Sequence, residues 1–161
     1  MSTARKILIF GGLTLAAFGM LYGLHYALFV EHQTLDRMGG SLTAAFVHAA
    51  ERNLPESEGA LEGYASTKYN YVRQVDSHSH WVGLAMLLIM MGAIFDRVAF
   101  SERVKFWISI ALLAGAVLFP LGVVLQTVSH GGFFASALAL LGSASVTIAL
   151  AAVAWGMTAN A

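Results

Sequence analysis

Two imidazoles one residue apart, His78 and His80, stand where a long polar stretch gives way to an apolar one. Ionisable side chains at or inside a bilayer surface are costly to place and mark functional positions. Imidazole is the commonest metal ligand and titrates near neutrality. The remaining histidines are His25, His32, His48 and His130. Threading the apolar stretches brings all six towards one side of a membrane: His25 late in the first stretch, His78 and His80 opening the second, His130 closing the third, and His32 and His48 between the first two. The chemistry of such a cluster is metal or haem ligation. His32 and His48 read as solvated surface residues, and His130 before Gly131-Gly132 also suits a helix C-terminus.

Spacing sets a geometric condition on the pair. On a helix, two residues correspond to about 200° of rotation, so the rings would point to opposite sides. They would then serve two sites, or one would ligate while the other hydrogen-bonds. Only an extended backbone would let both chelate one copper or zinc ion. Tyr22, His25, Tyr26 and Phe29 fall on one face of the first apolar stretch, so they are candidates for a second ligand or a pocket wall.

The elements that position these groups follow from composition. The 161-residue chain is 58% hydrophobic and 11% charged, too apolar for an ordinary soluble domain. Four apolar stretches, about 7–30, 77–95, 106–129 and 132–157, approach the ~20 residues a helix needs to cross the hydrocarbon core. The expected fold class is therefore all-α: an integral membrane four-helix up–down bundle in a single domain, with lipid as its first partner. The first stretch follows Arg5 and Lys6 but is too long for a cleavable signal, and it reads as a retained anchor.

The long connection, 31–76, is expected to carry an extra amphipathic helix over Thr34–Asn53, lying on the membrane or capping the bundle. Gly39-Gly40 is expected to break it or delay its start, and Asn53 and Pro55 to end it. Tyr64, Tyr69 and Tyr71 read as interface anchors. Short links at Asp96–Lys105 and Ser129–Gly132 make neighbouring helices antiparallel. Pro120 should kink the third span. Gly19-x-x-x-Gly23 and Ala111-x-x-x-Gly115 would let helices approach closely.

Arg5, Lys6, Arg97, Arg103 and Lys105 place both termini on the cytoplasmic side, with the histidines outside, as in a bacterial inner membrane. The absence of Cys excludes disulfides, iron–sulfur clusters and covalent haem attachment through cysteine. No Asp or Glu lies within a span, which argues against a proton channel of buried carboxylates and against a zinc hydrolase with a Glu base. No phosphate loop or basic nucleic-acid patch is present.

The run His78-Ser79-His80-Trp81-Val82-Gly83-Leu84-Ala85, with Phe95-Asp96-Arg97 and Val104-Lys105-Phe106-Trp107 after it, resembles the His-x-His helix of short four-span proteins described as haem-copper oxidase subunit I-like. More distantly, the helix order is similar to that of styrene oxide isomerase. The resemblance spans about half of the chain, 76–155. It implies a haem b protein with His78 matching the isomerase's haem ligand, His80 the second member of the oxidase-like pair, Trp81 beside the cofactor, and a homo-oligomer or a place in a membrane complex. Val82 stands where the oxidase-like proteins commonly have Asn. Leu84 falls near the isomerase's Asn, and the third span lacks its Tyr.

The expected function is electron transfer or redox chemistry on a small ligand, with iron held by His78 or His80 and by His25 or His130. An outer-side copper site, a haem-dependent epoxide isomerase and a structural subunit of a larger complex are the alternatives.

Overall fold

The computed structural model describes residues 1–129 and 131–158. Ser2 caps the first helix, its hydroxyl accepting from the Arg5 N–H. This helix, α1 (Thr3–Phe29), passes with a one-residue irregularity at Val30 into α2 (Glu31–Ala50). Backbone hydrogen bonds continue across the joint, from Val30 N–H to Tyr26 and from Thr34 N–H to Val30.

At the far end of α2 the chain reverses. Asn53 N–H bonds the His48 carbonyl and Arg52 N–H that of Ala49, a Schellman closure. Arg52 takes the left-handed position at φ 59°, which glycine usually fills and which costs an L-residue ~1–2 kcal/mol.

The next helix, α3, runs from Leu54 to Ile94 over 41 residues. That is about 60 Å, twice the ~30 Å hydrocarbon core. A short 3-10 turn (Phe95–Arg97) leads to α4 (Glu102–Ser129), and α5 (Phe133–Thr158) returns antiparallel. Among the described residues, four helices are long and apolar enough to cross a membrane, and the chain is an all-α bundle with α2 as the additional helix.

The stretch 31–76 is thus no loose connection. Residues 54–76 belong to the helix of the second span, which starts well before 77. Apolarity marks only the part of a helix that lipid covers. The polar residues Glu56, Glu58, Glu62 and Lys68 are compatible with helix but silent on the hydropathy pattern. Within α2, Gly39 and Gly40 interrupt nothing, and both face open space. Instead of covering the bundle end, α2 runs antiparallel along the polar half of α3. Ser57 donates to the Ala45 carbonyl (2.9 Å) in a buried contact, and Tyr71 donates to Glu31 (3.2 Å). Beyond the apolar part of α3, this pair projects by about 36 Å.

Small residues bring the spanning helices together. A side chain on Gly122 of α4 would meet the backbone of Ala139 on α5 at 2.4 Å. The Ala111–Gly115 pair also serves this contact, Ser145 of α5 donating to the Ala111 carbonyl (3.0 Å). Helix α4 continues through the buried Pro120. Leu8, Ala85, Leu88, Phe95 and Leu112 form the fully enclosed centre. At the end opposite the histidines, Arg5 pairs with Asp96 at 2.9 Å, fastening the start of α1 to the turn between α3 and α4.

Candidate functional site

Because α3 is helical through residues 77–81, His78 and His80 leave it on different sides. His78 turns to α1. Its Nδ1 lies 2.9 Å from the Gly19 carbonyl oxygen. A carbonyl only accepts, so Nδ1 carries a proton, and in the neutral ring Nε2 keeps its lone pair. The ring lies face-down on Gly23: a Cβ there would stand 2.3 Å from Cε1, 2.4 Å from Nδ1 and 2.8 Å from Nε2. Near-equal distances to three ring atoms place that point above the ring plane. Only a residue without a side chain admits the imidazole. Nε2 makes no hydrogen bond among the described residues.

His80 turns to α4, where its exposed ring lies 4.6 Å from Phe119. The helical geometry therefore separates the two imidazoles, and the extended arrangement that would chelate one ion is not formed. His25 is exposed, its ring 5.5 Å from Phe29. It is two positions from Gly23, hence about 200° around α1 and away from His78. His130 lies outside the described residues. His32 and His48 each sit beside an acid of their own helix end, Asp36 and Glu51, both at 3.4 Å; His32 is exposed and His48 half-buried.

The aromatic stripe of α1 divides across its contact with α3. Tyr22 and Tyr26 turn inward, whereas His25 and Phe29 face out. The Tyr22 hydroxyl donates to Gln74 Oε1, and the Tyr26 ring lies 6.4 Å from that of Tyr71. With Glu31, these groups make a polar layer where the hairpin leaves the apolar bundle. Its tyrosine hydroxyls serve helix–helix contact.

Trp81 follows His78 by one helical turn and is 3% exposed. Its ring meets Phe18 and Tyr22 edge-on at 4.9 and 5.0 Å. Its indole N–H is buried and has no hydrogen-bond partner among the described residues. Beside it, α1 and α4 flank an open groove of about 490 Å3, lined by Gly11, Leu15, Trp81 and Leu113 and by the exposed Thr14, Phe18, Val117 and Leu121.

Among the described residues, no three His, Asp or Glu side chains gather closely enough to hold a metal ion. Comparison of the chain with protein-family models, with curated proteins and with solved structures finds no match.

Two features of the candidate site escape the sequence pattern: the Gly19 carbonyl and the Gly23 seat. Gly19-x-x-x-Gly23 is a signal for close packing, and it says nothing of which side chain on the opposite helix will occupy the space.

Proposed function

We propose that this chain is a haem b-binding membrane protein in which His78 Nε2 is the axial iron ligand, serving electron transfer or redox chemistry on a small ligand. The observation that carries the reading is the bond from His78 Nδ1–H to the Gly19 carbonyl. Imidazole ligands are characteristically held this way, through a bond that fixes the tautomer, orients the ring and raises the basicity of the ligating nitrogen.

The donor set fits the group. A bare zinc or copper ion draws most of its ligands from the protein, and such a set is not gathered among the described residues. A porphyrin brings its own equatorial nitrogens and asks the protein for one or two axial donors. When bound, haem supplies a redox-active iron. The chain's residues fix the imidazole: the Gly19 carbonyl holds one ring edge, the Gly23 face supports the ring, and Trp81 and Phe18 supply apolar surface nearby.

Among the described residues, His78 is the one imidazole held in this way, His25 and His80 lying on other faces. A second donor to haem would come from His130, from a small ligand or from another copy, the last in line with the homo-oligomer that the resemblance of the His-x-His run implies. The Lys and Arg residues at 5, 6, 97, 103 and 105 support a haem towards the outer face.

The test is haem content. Protein purified from haem-replete cells should carry haem b, measured as its pyridine complex. His78→Ala should lose most of it, while His25→Ala and His80→Ala keep it. Haem-free wild-type protein, or undiminished haem in His78→Ala, contradicts the reading.

A further inference from the structure

On the outer half of α3, Tyr64, Ala65, Lys68, Tyr69, Val72 and Arg73 surround a shallow open depression. Two cations lie on it. The Lys68 ammonium stands 5.7 Å from the centre of the Tyr64 ring, and the Arg73 guanidinium 5.1 Å from that of Tyr69. Neither cation has an acidic partner among the described residues, and Asp76, three residues beyond Arg73, is not within ion-pair distance of it. The phenols divide in the same way. Those of Tyr22 and Tyr71 donate to Gln74 and Glu31, whereas those of Tyr64 and Tyr69 make no hydrogen bond among the described residues. The depression thus presents unpaired positive charge beside free phenolic donors, a combination that suits an anion with several acceptor oxygens.

Depth identifies the carrier of that anion. A side chain on Gly131, in the turn joining α4 to α5, would lie 3.5 Å from the Tyr69 hydroxyl. Val128, Phe133 and Phe134 flank the turn and are 79%, 90% and 74% exposed. Apolar surface of this kind requires hydrocarbon around it, so the lipid core reaches almost to the turn. The Tyr69 hydroxyl therefore lies where hydrocarbon gives way to headgroups. Helical side chains lean towards the helix N-terminus, which for α3 is the end away from the bilayer. Both cations lie over the ring one turn N-terminal to them, reaching outward as long basic side chains do at an interface. Tyr64 and Tyr69 are five residues apart, about 7.5 Å along the axis, and each headgroup layer is ~5–7.5 Å deep. The two cations thus span the layer that holds phospholipid phosphates. A zwitterionic lipid brings its own cation to that phosphate, and an anionic lipid does not.

We propose that this face of α3 binds the headgroup of an anionic phospholipid, Arg73 and Lys68 pairing with its phosphate and the Tyr69 hydroxyl donating to a phosphate oxygen. The site goes beyond the haem reading and stands without it. Arg73 leaves α3 about 140° from His78, and none of the three residues takes part in holding the imidazole.

The experiment is native mass spectrometry of the full chain, released from detergent, with dioctanoyl phosphatidylglycerol beside dioctanoyl phosphatidylcholine and glycerol 3-phosphate. Phosphatidylglycerol should bind saturably, near one per chain, and ~10-fold more tightly than phosphatidylcholine. Arg73→Gln and Lys68→Gln should each weaken it roughly 5-fold, the contribution of one basic residue beside anionic lipid. Tyr69→Phe should weaken it about 3-fold, as for one neutral hydrogen bond. Arg37→Gln, on α2, removes an equal charge away from the depression and should leave binding unchanged. Lys68 is exposed, so its variant folds even if a change at the half-buried Arg73 does not. Equal binding of the two lipids, or binding indifferent to Lys68→Gln, would overturn the proposal. Glycerol 3-phosphate binding as tightly as phosphatidylglycerol would overturn it too, and would make the face a site for soluble anions.

Discussion

Gly23→Ala is the most informative single substitution. The added methyl would stand 2.3 Å from His78 Cε1, where ordinary contact begins near 3.4 Å. About 1 Å must be found by lifting the imidazole or by parting α1 from α3. Parting is resisted at Gly12 and Gly19, where the two helices already touch. Overpacking of this kind costs ~1–3 kcal/mol. Weakening the Nδ1–H bond to Gly19 adds up to ~1.5 kcal/mol, and the better helix propensity of Ala returns up to ~1 kcal/mol. The net expectation is a loss of about 2 kcal/mol, or ~4–8 °C in Tm for a chain of this size. Haem retention should fall as well, because the ring no longer has its fixed orientation.

Gly83→Ala on α3 is the matched control, since a methyl there meets nothing within 4 Å. Thermal unfolding in detergent and haem content, read side by side, are the assay. If Gly23→Ala is as stable and as haem-loaded as Gly83→Ala, the seat under His78 has no role, and the reasoning fails.

Other substitutions separate the parts of the fold. Gly122→Val should be more damaging than Gly23→Ala, because its clash is with the Ala139 backbone at 2.4 Å and only separation of α4 from α5 relieves it; a monodisperse elution profile with unchanged Tm would contradict this. Ser57→Ala removes the buried bond to Ala45 and should cost ~1 kcal/mol. Hydrogen exchange should show it in the α2–α3 pair and leave α4 and α5 unchanged. Asp96→Asn should speed exchange in the first turns of α1 while barely moving Tm, since the pair with Arg5 is largely exposed and such pairs contribute little.

Much of the bundle is legible in the residues, and the reason is physical. Lipid demands a long apolar run for each crossing, so four runs give four spanning helices, and short links make them antiparallel. The 200° rule on His78 and His80 already implies their separation once the helix is continuous there. The projecting hairpin is less legible. Residues 54–76 carry charges and two glycines, and nothing in hydropathy distinguishes a solvated helix from a connection. Helicity there is held by α2 through contacts such as Ser57 with Ala45 and Tyr71 with Glu31, which join residues far apart in sequence.

The site itself divides in the same manner. His78 stands out as an ionisable group at a membrane boundary. The Gly19 carbonyl that sets its tautomer is a backbone atom and has no sequence signature. The α1 stripe of Tyr22, His25, Tyr26 and Phe29 has helical spacing, but where its edge meets α3 is decided by packing. Two residues therefore face inward and two outward.

The central claim, iron on His78 Nε2, is tested most directly by the absorption spectrum of the detergent-purified protein, oxidised and then reduced with dithionite, beside His78→Ala. A Soret band that shifts on reduction in the wild type and is lost in His78→Ala is the expected result. A featureless wild-type spectrum after haem-replete expression, or an identical Soret band in His78→Ala, would contradict it.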